Sequence, residues 1–267
     1  MRILCIANQK GGVGKTTLAA GLAGAFAANG ARVLLLDLDP HASLSHWFGV
    51  ATQAPARPGS FDLYQSNLPI ADVICDAENG IAIAPAQPSL ATLERARANK
   101  PGLGRALVRA FEDPGLPYDV ALLDCPPTLG VLMVSALASA DLVLVPTQTE
   151  PLALKSLDGM LKTAAMVERS RGQTLPLVVV PTLYDKRTRA ARDSLALLHA
   201  RTDCVVWHGE IPLDARLREA SRSGRSPARR DPSSRGAQAL QRLAQWIESG
   251  TPRAQTNLAP PSLEHAA

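Results

Sequence analysis

Short unbroken apolar runs alternate along this chain with longer stretches in which apolar residues recur every three or four positions. The runs at 3–7, 32–36, 80–84, 118–124, 141–147, 175–180 and 204–207 are of strand length and show little polar alternation. Such runs predict strands buried on both faces, as in a parallel sheet. The stretches between them predict helices over 16–29, 90–98, 105–111, 150–167, 191–200 and 237–248, with a short helix over 60–64 that Ser60 would cap. In 150–167, Leu154, Leu157, Leu161, Ala164 and Ala165 share one face, as do Leu240, Leu243, Ala244 and Ile247 in the last helix. Gly21 and Gly24, set among alanines, predict a first helix lying close against the sheet. Asn29-Gly30 predicts its end, with Gly30 in the left-handed cap position. Pro- and Gly-rich stretches at 52–59, 99–104 and 114–117 read as loops. The strand–helix alternation predicts an α/β fold, a doubly wound and mostly parallel sheet with helices on both faces. One domain is expected over 1–249, without internal repeats, followed by a disordered tail over 250–267.

The first strand runs into Lys10-Gly11-Gly12-Val13-Gly14-Lys15-Thr16-Thr17, and the first helix follows. Strand, glycine loop and helix are the context a phosphate loop requires. The three glycines free the backbone to turn several N–H groups onto one anion, and the helix N-terminus adds partial positive charge behind them. Lys15 supplies a mobile charge for the β- and γ-phosphates. Thr16 places a hydroxyl where a nucleotide-bound Mg²⁺ would sit.

Three aspartates complete the chemistry. Asp124 ends the apolar run 118–124 before Cys125-Pro126-Pro127, where a carboxylate can hold Mg²⁺ through water. Asp37 and Asp39 alternate at the end of the second strand, which predicts that both point to one side, at the sheet end where ligands bind in open α/β folds. His41 reads either as a contact to the γ-phosphate region or as a polar residue opening the next helix. No Asn-Lys-x-Asp follows the strand at 175–180, so adenine is favoured over guanine.

Lys10 is a second lysine at the loop mouth, more charge than simple triphosphate binding needs. The run Lys-Gly-Gly-Val-Gly-Lys-Thr resembles the ParA/MinD family of deviant-Walker P-loop ATPases, and the resemblance covers roughly 1–249. It implies that Lys10 reaches the partner's ATP across a nucleotide-sandwich homodimer, and that Asp39 positions or activates the attacking water. Lys10, Lys15 and Asp39 are then the catalytic group. The segment 211–220 resembles the family's closing adenine-site segment, which places Pro212 and Asp214 near the base. The implied activity is slow hydrolysis of ATP with Mg²⁺, stimulated by a ParB-like or other partner protein, in the service of positioning DNA or a protein cargo.

Composition sharpens this expectation. Aromatic residues are only 4% of the chain, so the core must be built from Ala, Leu and Val. The net charge is +4, and its excess gathers late, at Arg187, Arg189, Arg216, Arg218, Arg222 and Arg225. Arginine suits phosphate contact. ParA-like proteins bind duplex DNA without sequence preference when dimerised, and the resemblance gives these arginines that role. No recognition helix is visible, so contact should be to the backbone. No run is long and apolar enough to span a membrane, and the first strand begins at once, leaving no room for a signal peptide or an N-terminal helix-turn-helix. A cytoplasmic, nucleoid-associated protein is expected.

Alternatives within the superfamily fit less well. A MinD-like membrane ATPase needs a C-terminal amphipathic helix, which the three prolines and two separated leucines of 251–267 cannot form. A flagellar-number regulator usually carries an N-terminal activating helix. A metal-cluster carrier needs paired cysteines, whereas Cys5, Cys75, Cys125 and Cys204 are far apart and read as reduced thiols. For cargo, the segments 39–43 and 60–64 resemble family members that position chemosensory arrays.

Overall fold

The computed structural model describes residues 1–50, 57–66, 68–95 and 102–250. In chain order the elements are β1 (Arg2–Ile6), α1 (Lys15–Ala28), β2 (Val33–Asp37), α2 (Ser43–Trp47), α3 (Ser60–Gln65), α4 (Ile70–Val73), β3 (Cys75–Glu78), β4 (Ile81–Ala84) and α5 (Leu90–Arg95). After a 3₁₀ turn at Leu103–Arg105 come α6 (Ala106–Ala110), β5 (Val120–Asp124), α7 (Val131–Ser139), β6 (Leu142–Gln148), α8 (Pro151–Arg171) and β7 (Leu177–Thr182). The chain continues with α9 (Arg189–His199), β8 (Val205–Val206), α10 (Ala215–Arg222), α11 (Pro227–Arg230) and α12 (Arg235–Glu248).

The strands form one sheet in the order β3-β4-β2-β5-β1-β6-β7-β8. Every neighbouring pair is parallel except the β3–β4 edge. Side chains alternate along each strand between two cores. Cys5, Leu34, Leu36 and Leu123 meet Leu63, Leu132, Leu157 and Met160 on one face. Leu4, Ile6, Leu35 and Leu122 meet Leu18, Leu22, Leu217 and Leu243 on the other. The doubly wound architecture is therefore the expected one.

Several local details differ. Ser60 is not the cap of α3: Gly59 takes that position, and the Ser60 hydroxyl donates instead to the Asp37 carbonyl at 2.6 Å. The helix expected to stop at 167 continues to Arg171, ended by Gly172 at φ 67°. A Cβ on Gly21 would strike Leu240, and one on Gly24 would strike Ser226. The close approach these glycines permit is thus to α12 and the start of α11, not to the sheet. Helix α7 escapes the periodicity test because its sequence, VLMVSALAS, is apolar nearly all round. Strand β3 escapes because its CDAE sequence lies half-buried at an edge. Segment 211–220, expected only as a closing adenine-site segment, turns helical from Ala215, where α10 begins. The loop expected over 52–59 is described only from Arg57, the helix over 90–98 only to Arg95, and the expected tail from 251 lies outside the described residues.

Candidate functional site

The parallel pairings carry the carboxyl ends of β1, β2 and β5 to one edge of the sheet. Ile6 lies beside Asp124, and Asp124 beside Asp37. The loop from β1 to α1 opens directly over them. Gly12 (φ 74°) and Gly14 (φ 91°) are left-handed, a conformation that costs any residue with a Cβ. A Cβ built on Gly11, Gly12 or Gly14 meets no atom within 4 Å, so the loop faces open space. Gly14 is the N-cap of α1, whose first amides face that space without a side-chain cap.

Lys15 is buried, and its ammonium donates to the Lys10 carbonyl at 3.2 Å. Burial lowers its pKa, opposed by Asp124, Cys125 and Asp39. The Thr16 hydroxyl donates to one Asp124 oxygen at 2.8 Å. The other Asp124 oxygen is buried with no hydrogen-bond partner among the described residues. Burial, and then the neighbouring Asp37, push the Asp124 pKa well above the usual carboxylate range. An orphaned carboxylate oxygen beside a threonine hydroxyl, under an open anion cradle, fits a hydrated divalent cation.

Asp37 and Asp39 divide their work more sharply than their spacing suggests. Asp37 is fully buried and accepts from the Ser45 amide (2.8 Å), the Ser45 hydroxyl (2.7 Å) and the Asp39 amide (3.1 Å). Burial raises its pKa to about 6 against those hydrogen bonds. Its role in this geometry is to hold α2. Asp39 keeps a side chain that is 13% exposed and accepts from the His41 amide at 3.0 Å, with His41 Nδ1 2.8 Å away. His41 is thus the companion of Asp39, and its ring is otherwise in solvent.

Lys10 donates to Gln148 Oε1 at 2.7 Å and lies 3.9 Å from Glu150. Its ammonium rests at the end of β6, away from Lys15. The loop is braced by residues that no motif marked. Asn8 donates to the Pro146 carbonyl and accepts from the Lys10 amide, while Gln148 and Thr182 donate to the Gly12 and Val13 carbonyls. Their signal is positional: β6 lies beside β1 and β7 next beyond it, so polar residues at their carboxyl ends reach the loop. Cys125 is buried 3.5 Å from Cys5, and that contact and burial hold its thiol well above the usual range, in keeping with an inert side chain.

Pro212 and Asp214 line a cavity of about 220 Å³ together with Thr17, Trp47, Leu183 and Arg218. The Asp214 carboxylate is engaged on both oxygens, capping α10 through the Arg216 amide and accepting from the Gly236 amide. The arginines fall into two groups. Arg187 and Arg189 lie at the start of α9, the first bound to Asp185 at 2.7 Å and the second 3.4 Å from Asp193. Arg216, Arg218 and Arg222 lie on α10, with Arg225 just beyond. Arg216 is paired with Asp231 at 2.7 Å. Arg218, Arg222 and Arg225 are exposed, and no ion pair holds their side chains among the described residues.

A family model for an AAA domain matches residues 1–177. The chain is 40% identical over 250 residues to the chromosome-partitioning ATPase Soj of Thermus thermophilus, covering 92% of this chain and 95% of that one. It is 36% identical over 257 residues to the chromosome partitioning protein ParA of Caulobacter vibrioides, covering 93% and 94%. Among solved structures, a cobyrinic acid a,c-diamide synthase from Mycobacterium smegmatis with bound ATP analog and magnesium superimposes with a TM-score of 0.81 at 32% identity, covering 95% of this chain and 98% of that one.

Proposed function

Because the chain belongs to the ParA/Soj family of chromosome-partitioning ATPases, we propose that it binds ATP with Mg²⁺ in the cradle over Asp124, dimerises on it, and in that state holds duplex DNA through its arginines. The observation that carries the nucleotide reading is the Thr16–Asp124 pair with its orphaned oxygen, beside a loop whose left-handed glycines leave the amides free.

Each residue then has a definite task. The amides of Gly11 to Thr17 surround the phosphates, and Lys15 turns from the Lys10 carbonyl toward them. Thr16 and Asp124 hold the cation, which when bound neutralises phosphate oxygens. Pro212 and Asp214 border the space left for the base, next to Thr17. Lys10 leaves Gln148 to reach the partner's nucleotide. Asp39 exchanges its His41 contact for the attacking water. No arginine lies in the phosphate loop, so intrinsic hydrolysis is slow and waits for a partner protein; in related phosphoryl transfer a supplied arginine is worth roughly 10³–10⁵ in rate.

For DNA, support comes from Arg218, Arg222 and Arg225, whose charges are exposed and unpaired among the described residues. For cargo, the relatives Soj and ParA, both chromosome-partitioning proteins, support the chromosome rather than a protein array. No described helix is long and apolar enough to cross a membrane. Amidation of cobyrinic acid, raised by the M. smegmatis structure, is the second reading, and the higher identity to Soj and ParA favours partitioning.

The test is DNA retention with a slowly hydrolysed ATP analogue at several salt concentrations. Binding to Z phosphates falls with a log–log slope of about −0.9Z, and Glu at 218, 222 and 225 should weaken binding to all sequences alike and flatten that slope. ATP-dependent dimerisation should survive. Equal retention by wild type and the triple variant refutes the arginine assignment, and ATP-dependent consumption of cobyrinic acid establishes the second reading.

A further inference from the structure

The arginine-bearing turn and the nucleotide-facing turn are far apart in sequence, yet one side chain joins them. The Trp47 indole N–H, at the end of α2, donates to the Arg225 carbonyl at 3.0 Å. The ring is buried, in the same core as Leu217 and Ala220 of α10. On its other side Arg225 is followed by Ser226, whose amide and hydroxyl bind the two oxygens of Glu78 at 2.7 and 2.9 Å. The backbone at Arg225 is therefore gripped from two directions, by the sheet edge through Glu78 and by α2 through Trp47.

Helix α2 is itself tied to the nucleotide site. Ser45, two residues before Trp47, gives its amide and hydroxyl to Asp37. Between Asp39 and α2 the chain turns through Ala42 at φ 54°, a strained value for a residue with a Cβ, and the Ala42 amide donates to the Asp39 carbonyl at 2.8 Å. This turn therefore joins Asp39 to the five-residue α2, at whose end Trp47 lies.

We propose that Trp47 is a positioning residue that couples the turn at 39–42 to the turn at Arg225, so that the state of the nucleotide site sets the backbone position of the DNA-facing arginines. This rests on the DNA reading above for its consequence, though not for the coupling itself. The structure supplies a contiguous set of hydrogen bonds; a free-energy coupling is what the experiment measures.

The experiment uses the full chain, mixed-sequence duplex DNA, ADP and a slowly hydrolysed ATP analogue. Trp47→Phe keeps an aromatic ring and removes the donor. Because Trp47 also borders the cavity beside Thr17, the variant's nucleotide affinity is measured first and DNA binding is read at saturating nucleotide; there the ratio of DNA affinities with analogue and with ADP should fall by roughly two- to tenfold, the range one neutral hydrogen bond can supply. Arg225→Ala keeps the carbonyl, so it should lose DNA affinity with both nucleotides yet retain the ratio. An unchanged ratio in folded Trp47→Phe overturns the proposal. Should that variant not fold, hydrogen exchange on the wild type decides: peptides over 42–50 and 220–228 must change protection together on adding the analogue, and silence at 220–228 overturns it. If wild type retains no DNA with either nucleotide, the DNA reading falls, and the same exchange measurement still judges the coupling.

Discussion

Asp124→Asn separates the stability of this site from its function. The native carboxylate is fully buried, with one oxygen on Thr16 and the other unpartnered among the described residues. Asparagine keeps the shape and the Thr16 bond but removes a charge buried beside Asp37. Relief of a poorly compensated buried group is worth on the order of 1–3 kcal/mol. At roughly 2–4 °C per kcal/mol for a domain of this size, nucleotide-free protein should melt about 2–12 °C higher. The sign of the pH dependence follows from the raised pKa of Asp124. A raised folded-state pKa contributes stability that is full below the unfolded value, about pH 4, and is lost as pH rises through the folded value. The variant has no such loss, so its advantage is small near pH 4 and widens toward neutrality. With Mg²⁺ and ATP the order inverts, because the variant loses a ligand worth roughly 10- to 100-fold in affinity for the cation. Thermal melts from pH 4.5 to 8, with EDTA and then with Mg²⁺ and ATP, read both effects. A variant less stable than wild type without nucleotide at pH 8 refutes the account, as does an equal Mg²⁺-dependent rise in both proteins.

Lys15→Ala should abolish nucleotide binding, whereas Lys10→Ala should keep some binding and fail to dimerise; equilibrium dialysis and sedimentation check this, and an ATP-dependent Lys10→Ala dimer ends the cross-dimer role. Asp39→Ala should trap an ATP-bound dimer with turnover reduced roughly 10²–10⁴-fold, the usual range for losing a proton-handling group, and native turnover in a phosphate-release assay would exclude it as the water-orienting group. Gly24→Ala should lose about 1–2 kcal/mol net, because the new methyl meets Ser226, which Glu78 holds in place, and that outweighs the helix-propensity gain. Gly21→Ala should stay within about 1 kcal/mol of wild type, since the methyls of Leu240 can rotate away; chemical denaturation compares the two.

Much of this molecule can be read from the linear order of residues, because the relevant forces are local. A continuous apolar run predicts a doubly buried strand, and seven such runs correspond to seven of the eight strands. The glycine loop requires left-handed backbone within a few residues of a strand end, and Gly12 and Gly14 adopt it. Lys15, Thr16 and Asp124 converge because a parallel sheet aligns the carboxyl ends of its strands, and the type of sheet was itself legible in the apolar runs.

The remaining features depend on which strands became neighbours, and local pattern carries no record of that. Placing β6 beside β1, with β7 next beyond it, makes Gln148 and Thr182 braces of the loop and gives Lys10 its resting place. Two aspartates that look equivalent two residues apart were separated by what lay above them, since Ser45 buries Asp37 while Asp39 remains open to His41. Gly21 and Gly24 face other helices rather than the sheet. The bond from Trp47 to Arg225 spans 178 positions and arises only because α2 and the turn after α10 share one face of the sheet. Periodicity acts over one or two turns of chain, whereas these partners are chosen by packing, which minimises exposed apolar area over the whole domain and so pairs residues without regard to their distance in sequence.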